Sequence, residues 1–401
     1  MSEPLHAYVG RQAVFDRNLK VVAYELLYRD SEENRARIDD PDQATATTML
    51  NAVVELGLDK LVGELPIFVN LPAAFLLKRY PVPLPPERTY LEVLEDVPVT
   101  PELIDAIKGF RAEGFKIALD DFLLTDQTRP LVPLADLIKV DVLGVPRDDI
   151  DEQFDELRPL CKTLLAEKIS THDEMAHYHL LGFDLFQGHF LQMPIVERGR
   201  RLPHNRAALV QVLAKLYQPN IDLRAVEAML SAEVGLSVRL LKLASSAALS
   251  RGAPIANLGQ AIARLGTQQI AALVLLVLVA GFDDKPFELA RQALIRARMC
   301  EALARTTNVP PDQLFTAGLL SLLDALLDRP LDEIVDDIPV TPLIRGALVG
   351  GTGSAAKIVD AARAQDHGDF ARVASTGFTA QKVFVAWYEA IRWADEIIAQ
   401  L

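Results

Sequence analysis

Apolar residues in the first half of the chain fall into short runs, and each run finishes on a polar side chain. Lys116-Ile-Ala-Leu closes on Asp120 and Asp121, Leu65-Pro-Ile-Phe-Val on Asn70, and Arg88-Thr-Tyr-Leu on Glu92. Ala135-Asp-Leu-Ile leads into Lys139 and Asp141, Thr163-Leu-Leu-Ala into Glu167, and Phe183-Asp-Leu-Phe into Gln187. Runs of this length suit strands buried on both faces. A buried strand has no reason to end in charge unless that end opens onto solvent or a cation. Helix signals lie between the runs. Thr100-Pro101 supplies an N-cap and a first turn, Gly114 a stop, and Thr171 begins a helix that Gly182 ends. Residues 42–61 are apolar at Met49, Val53, Leu56 and Leu61 and predict one long helix, while the acidic run 147–156 reads as a solvated helix start. Ahead of these, 8–15 and 21–27 alternate around Asp16-Arg-Asn18, the pattern of an opening hairpin. Seven or eight strand candidates alternating with helices predict a TIM-like (β/α) barrel with its chemistry on one rim.

The pattern changes near 194–205, where Pro194, Arg198-Gly-Arg-Arg201 and Pro203 read as a connector. Beyond it the strand runs fade. Residues 205–216, 223–230, 237–248, 257–265, 267–279, 286–305 and 313–327 are helical by period or cap. Asn257 with Gln260 makes a capping-box start, and Thr341-Pro342 another cap. The expectation is therefore α/β followed by all-α: a barrel domain over 1–200 and a helical domain over 201–401.

Composition narrows the class. The chain has 401 residues, half of them hydrophobic, a size that suits two domains. A formal charge of −14 argues against DNA as a partner, because a phosphate backbone would be repelled. Cys161 and Cys300 stand far apart without metal or disulfide spacing, which points to a reduced, cytoplasmic compartment. Met1-Ser-Glu-Pro-Leu-His lacks the basic and apolar character of a secretion leader. The longest apolar run, 270–280, is too short to cross a bilayer, so no membrane is expected.

The strand-end set comprises Glu25, Asn70, Glu92, Asp120, Asp121, Lys139, Asp141, Glu167 and Gln187. If they converge, six carboxylates face one lysine. Two unit charges about 4 Å apart repel by about 4 kcal/mol at an effective dielectric near 20, so such a set needs protons or cations. Oxygen donors without cysteine or histidine favour Mg²⁺ or Mn²⁺ over zinc. A pair of such ions activates water against a phosphodiester, and Lys139 could orient or deprotonate that water.

Several ordered motifs carry a resemblance. Tyr24-Glu-Leu-Leu-Tyr-Arg29, Phe68-Val-Asn-Leu71, Leu91-Glu-Val-Leu-Glu95, Asp120-Asp-Phe122, Ile138-Lys-Val-Asp141, Ala166-Glu167 and Gln187-Gly188 resemble, in this order, the EAL family of barrel phosphodiesterases and receptors for cyclic di-GMP. Gly235-Leu-Ser-Val-Arg-Leu-Leu-Lys-Leu243, Ser245-Ser-Ala247 and Ile255 through Gly266 resemble the HDOD family, an all-helical, metal-free relative of HD phosphohydrolases. The resemblance implies that Glu25, Asn70, Glu92 and Asp120 hold one metal, and that Asp120, Asp121 and Glu167 hold a second. It places Lys139 beside the attacking water, Gln187 as its positioner, Arg29 on a nucleotide phosphate, and Asp141 and Glu95 as supports behind the ligands.

Departures from the family are equally legible. Asp120-Asp-Phe is followed by Leu123-Leu-Thr-Asp-Gln-Thr-Arg-Pro130 instead of a glycine-rich loop that couples metal binding to dimerisation. Lys168 stands for a glycine and Ser170 for a second glutamate, and the family's Glu-Ala-Leu reads Glu25-Leu-Leu. Whether loop 123–134 covers the barrel mouth is a question for the structure. The helical half has no histidine between His204 and His367, and Gly318-Leu-Leu-Ser-Leu-Leu323 stands where a metal-binding pair would lie. No metal is expected there, and its role is contact with a protein partner; Asp324 reads as a surface or cap residue.

These features favour a regulator of the cyclic di-GMP type with little or no turnover. The alternatives are an active phosphodiesterase producing linear pGpG and a receptor that binds without cutting, and a homodimer is a further partner to consider. Gly350-Gly-Thr-Gly-Ser-Ala-Ala-Lys357 reads as a turn and helix cap, not a phosphate loop. His172, His177 and His179 read as a surface cluster, and Trp387 and Trp393 as packing residues.

Overall fold

A computed structural model describes residues 8–29, 57–71, 73–79, 81–95, 97–161, 163–192, 212–213, 216, 258–279, 285–338 and 340–399. The expected helices 223–230 and 237–248, the connector 194–205, and most of 205–216 lie outside the described residues. The chain forms two compact units: Met1–Phe190 with Asp366–Ala371, and Leu191–Gln365 with Arg372–Leu401.

The first unit is a closed barrel in the order β1-β2-β3-β4-β5-β6-β7-β8. Its strands are β1 (Tyr8–Asp16), β2 (Val21–Arg29), β3 (Ile67–Leu71), β4 (Thr89–Val93), β5 (Lys116–Leu119), β6 (Leu137–Asp141), β7 (Leu164–Ile169) and β8 (Leu185–Gly188). The expected hairpin is present: β1 runs antiparallel to β2, and it closes the barrel antiparallel against β8. The remaining neighbours are parallel, with Asn70 opposite Glu92 and Asp141 opposite Glu167. Connecting helices are α1 (Leu58–Val62), α2 (Ala73–Lys78), α3 (Pro101–Ala112), α4 (Arg147–Leu157) and α5 (His172–Leu181). Thr100 caps α3 by accepting from the Leu103 N–H. Thr171 and Glu174 form a reciprocal capping box at α5.

The single helix expected over 42–61 is corrected at its end. Gly57 takes φ 77° and ψ 113°, outside helical values, and α1 starts only at Leu58; residues 42–56 lie outside the described residues. A glycine with positive φ is the natural break that hydrophobic period alone does not register.

A two-residue period explains why the barrel can carry a polar rim. Val14, Ala23, Phe68, Tyr90, Ala118, Leu137, Leu165 and Leu185 pack together, one from each strand. Adding two to the positions on β2 through β8 gives Glu25, Asn70, Glu92, Asp120, Lys139, Glu167 and Gln187. Alternate side chains of a strand share a face, so an apolar layer inside the cylinder forces a second layer above it. The intervening residues Tyr24, Val69, Leu91, Leu119, Ile138, Ala166 and Phe186 are buried on the outer face, which is why these runs read as continuously apolar.

The second unit is helical wherever it is described. Its elements include α6 (Leu258–Val279), α7 (Phe287–Ala304), α8 (Pro311–Leu320), α9 (Leu323–Leu327), α10 (Leu331–Asp337), α11 (Pro342–Leu348), α12 (Ser354–Asp366), α13 (Phe370–Ser375) and α14 (Ala380–Ile398). The break expected between 265 and 267 is at Gly266, which leaves helical geometry inside α6. The helix expected over 313–327 is divided into α8 and α9. Ser321 turns out of the pattern and accepts from buried Arg296 at 3.0 Å. Arg291 of α7 clamps Asp395 of α14 through two 2.7 Å hydrogen bonds. Trp387 is buried beside Phe384, and Trp393 lies edge-on to Phe315. Asp324 is half-buried in the first turn of α9, where it accepts from the Ala325 N–H at 2.9 Å, and burial raises its carboxyl above the usual range. Among the described residues, no helix is long and apolar enough to cross a membrane.

Candidate functional site

The second layer of the barrel assembles around Lys139. Its ammonium stands 2.6 Å from Asp120 Oδ1, 2.8 Å from Glu92 Oε1, 2.8 Å from Glu167 Oε2 and 3.5 Å from Glu25 Oε2. Lys139 and Glu92 are essentially sealed from solvent, at 1% and 0% exposure, so these charges interact through protein and not through water. Glu25 is fixed from both sides, accepting from Asn70 Nδ2 at 3.2 Å and from Gln187 Nε2 at 2.5 Å. Gln187 also donates to Gln12 Oε1 at 3.0 Å.

Gln12 was missed by the sequence reading. Its strand runs opposite to the others, so the polar residue of β1 precedes the apolar floor residue Val14 instead of following it. The register of Gln12 opposite Glu25 is the signal that would have found it.

Burial sets the protonation of the acids. It pushes Glu92 and Asp120 upward, and neighbouring carboxylates add to this, against the opposing pull of Lys139. Glu167 is pushed by burial to about 9. Burial alone would lower Lys139, but the four surrounding carboxylates outweigh it and hold the ammonium charged. One ammonium therefore balances part of the acid set, and protons balance the rest.

Metal-free protein is accordingly expected to lose stability as pH rises. Glu167 titrates near 4.5 when unfolded and about 9 when folded, so between these values the native state binds more protons. Its contribution is complete below the lower value and disappears as pH climbs through the upper one. Urea midpoints in chelator should fall from pH 5.5 to 9, and Glu167→Gln should flatten the slope. An equally steep slope in that variant would count against the assignment.

Hydrogen-bond accounting bears on the cation. Glu92 Oε2 and Glu167 Oε1 are buried without a hydrogen-bond partner, while Glu92 Oε1 and Asp120 Oδ1 face only the Lys139 ammonium, at 2.8 and 2.6 Å. Hard oxygens left without donors are the set that Mg²⁺ or Mn²⁺ takes, so the residues fit such an ion. Among the described residues, no group of three or more His, Cys, Asp or Glu is arranged as a ready cage, since the ammonium stands between the acids.

Asp121 has φ 45° and turns its carboxylate to Lys168, whose Nζ donates to Oδ1 at 2.9 Å and Oδ2 at 3.1 Å. Hydrogen bonds from Glu167 and Lys168 hold Asp121 below the usual range, against the effect of burial. Asp141 accepts from Lys168 at 2.6 Å and from the Leu143 N–H at 2.8 Å. Glu95, expected as a support behind the ligands, is exposed. Ser170 serves the start of α5: its N–H donates to Glu174 Oε2 at 2.8 Å. The backbone of Arg29 ends β2, while its side chain lies outside the described residues. In loop 123–134, Leu123 is 65% exposed, and Thr125 and Thr128 tie the loop to itself. His177 pairs with Asp151, His179 bonds the Arg17 carbonyl, and His172 packs edge-on to Phe190, so the three have separate partners.

Comparison with known proteins agrees with this organisation. Residues 202–327 match the HDOD domain. The segments 235–243 and 245–247 that carried that resemblance lie outside the described residues. The uncharacterized protein YuxH of Bacillus subtilis is 29% identical over 413 residues, covering 98% of this chain and 99% of its own. The cyclic di-GMP phosphodiesterase CdgJ of Vibrio cholerae is 28% identical over 403 residues, covering 97% of this chain and 93% of its own. Among solved structures, the calcium/cy-diGMP complex of Klebsiella pneumoniae BlrP1 covers 47% of this chain and 56% of its own at 20% identity, with a TM-score of 0.39. An acid-rimmed closed barrel thus precedes a segment that matches the HDOD domain, in a chain similar over nearly its full length to a protein named as a cyclic di-GMP phosphodiesterase.

Proposed function

We propose that the barrel is a divalent-cation-dependent site for cyclic di-GMP and that the HDOD domain passes the outcome on through protein contacts, with slow turnover or none. The observation that carries this reading is the cluster of Lys139 with Glu25, Glu92, Asp120 and Glu167 on one rim. Glu25, Asn70, Glu92, Asp120, Asp121 and Glu167 are the residues that would hold Mg²⁺ or Mn²⁺. Such an ion supplies Lewis-acid charge and lowers the pKa of bound water. Lys139 is charged and buried where it can orient water and stabilise charge developing on a phosphodiester oxygen. Gln187 fixes Glu25 and thereby one wall of the site. Arg29 is the candidate for a nucleotide phosphate.

Slow turnover follows from the loops. Lys168 and Ser170 bond within their own neighbourhood, and loop 123–134 lacks glycine, so the residues around Asp121 are held differently from those of a flexible catalytic loop. A reacting group displaced by about 1 Å can lose about 10²-fold in rate. A second reading, a fully active phosphodiesterase, draws on the near full-length similarity to CdgJ.

Purified full-length protein with Mn²⁺ or Mg²⁺ and cyclic di-GMP decides between them. Calorimetry is expected to show nucleotide binding that needs the divalent ion, with little linear pGpG formed. Rapid metal-dependent hydrolysis, abolished by Asp120→Asn, would replace slow turnover with the second reading. Absence of binding at high micromolar nucleotide would remove both.

A further inference from the structure

The rim holds two separate lysine–acid clusters, and only the first is buried beneath it. The second is built by Lys168. This residue sits where the pairing of β7 with β8 shifts register between Ala166 and Ile169, and its backbone has φ 60°. Regular alternation after inward-facing Glu167 would send the next side chain outward into the surrounding helices. The bulge and left-handed backbone carry it along the rim instead.

There the ammonium reaches both oxygens of Asp121, at 2.9 and 3.1 Å, and Oδ2 of Asp141 at 2.6 Å. Asp121 also lies in a left-handed conformation, so two strained backbones face each other across one ion pair. Asp141 is itself anchored by the Leu143 N–H. All three donor positions of one ammonium are thus used on two carboxylates, one just after β5 and one at the end of β6.

We propose that Lys168 is a tethered counterion that fills the second cation position of this rim, so that the site takes one divalent ion, at the Lys139 cluster, instead of two. This rests on the rim being a divalent-cation site. At the Lys139 cluster Glu92 Oε2 and Glu167 Oε1 keep no hydrogen-bond partner, whereas both Asp121 oxygens are engaged by Lys168, so a second ion would have to expel an ammonium that is covalently attached and already in place. Tethering gives that competitor a high effective concentration. A strained lysine in a left-handed conformation, where glycine is free of cost, is consistent with a side chain retained for its charge.

Manganese titration of the full-length protein in high salt, followed by electron paramagnetic resonance of the free ion, measures the stoichiometry without nucleotide or turnover. The wild type is expected to take one ion per chain. Lys168→Gly, which suits the backbone, and Lys168→Met, which keeps the bulk but not the charge, should each take one more. Adding Asp121→Asn to either should cancel the gain. The same single ion in wild type and both variants would overturn the role of Lys168 and leave the cation reading standing. Two ions in the wild type would overturn it as well. A gain in the glycine variant alone would show that bulk or backbone, not charge, excludes the second ion, and would also overturn it. No ion in any of the three would overturn both this role and the cation site itself.

Discussion

Replacing Lys139 with methionine is expected to destabilise metal-free protein by about 3–5 kcal/mol at neutral pH, the usual range when one partner of a buried ion pair is removed. Methionine fills similar volume, so the effect isolates charge from packing. Without the ammonium, Glu25, Glu92, Asp120 and Glu167 are left facing one another inside the barrel. Their repulsion is relieved only by taking up protons. The deficit relative to wild type should therefore shrink on going from pH 8 to pH 5.5, and shrink again with saturating Mn²⁺. Trp387 and Trp393 both lie in α14, outside the barrel, so tryptophan fluorescence would follow the wrong unit. Urea unfolding followed by far-ultraviolet circular dichroism is the appropriate measurement, read as separate transitions if the units unfold independently. A deficit that is independent of pH would mean that the loss is one of packing.

Glu92→Gln should act in the opposite direction on stability and more severely on cation binding. Glu92 is fully enclosed, its Oε2 has no hydrogen-bond partner while its Oε1 meets the Lys139 ammonium at 2.8 Å, and burial raises its carboxyl well above the usual range. A neutral amide of the same shape removes the cost of enclosing a charge, so metal-free protein should be as stable as wild type or more so at pH 8. The same change removes an anionic ligand from the centre of the site, and manganese affinity should fall at least 10²-fold. Calorimetry with Mn²⁺ and urea midpoints in chelator test the two halves separately. A variant that loses stability while retaining manganese affinity would show that Glu92 is an ion-pair partner of Lys139 and nothing more. Such opposing effects are expected wherever a functional group is held at the expense of the fold.

The barrel and most of its rim were legible because the strands obey a period of two and are buried on both faces. Tyr90-Leu-Glu92 and Leu137-Ile-Lys139 show it in three residues each: inward apolar, outward apolar, inward charged. What escaped the sequence reading depends on geometry that period does not encode. Gln12 required the direction of β1. Lys168 stood out as a residue type at an unusual position, but its partners required the bulge after Ala166. Gly57 fixes where α1 begins and Ser321 divides α8 from α9, one by a backbone only glycine adopts easily and the other through Arg296. Asp324 keeps the helix-start position its type suggested, accepting from the Ala325 N–H, while its interactions with Arg296 and Arg363 are announced by no local pattern.

The floor of eight side chains, from Val14 round to Leu185, has a consequence for traffic. It plugs the cylinder, so water, ions and any ligand reach the acids from one side only. Anything that narrows this entrance delays arrival and departure alike, without touching a single charged residue inside.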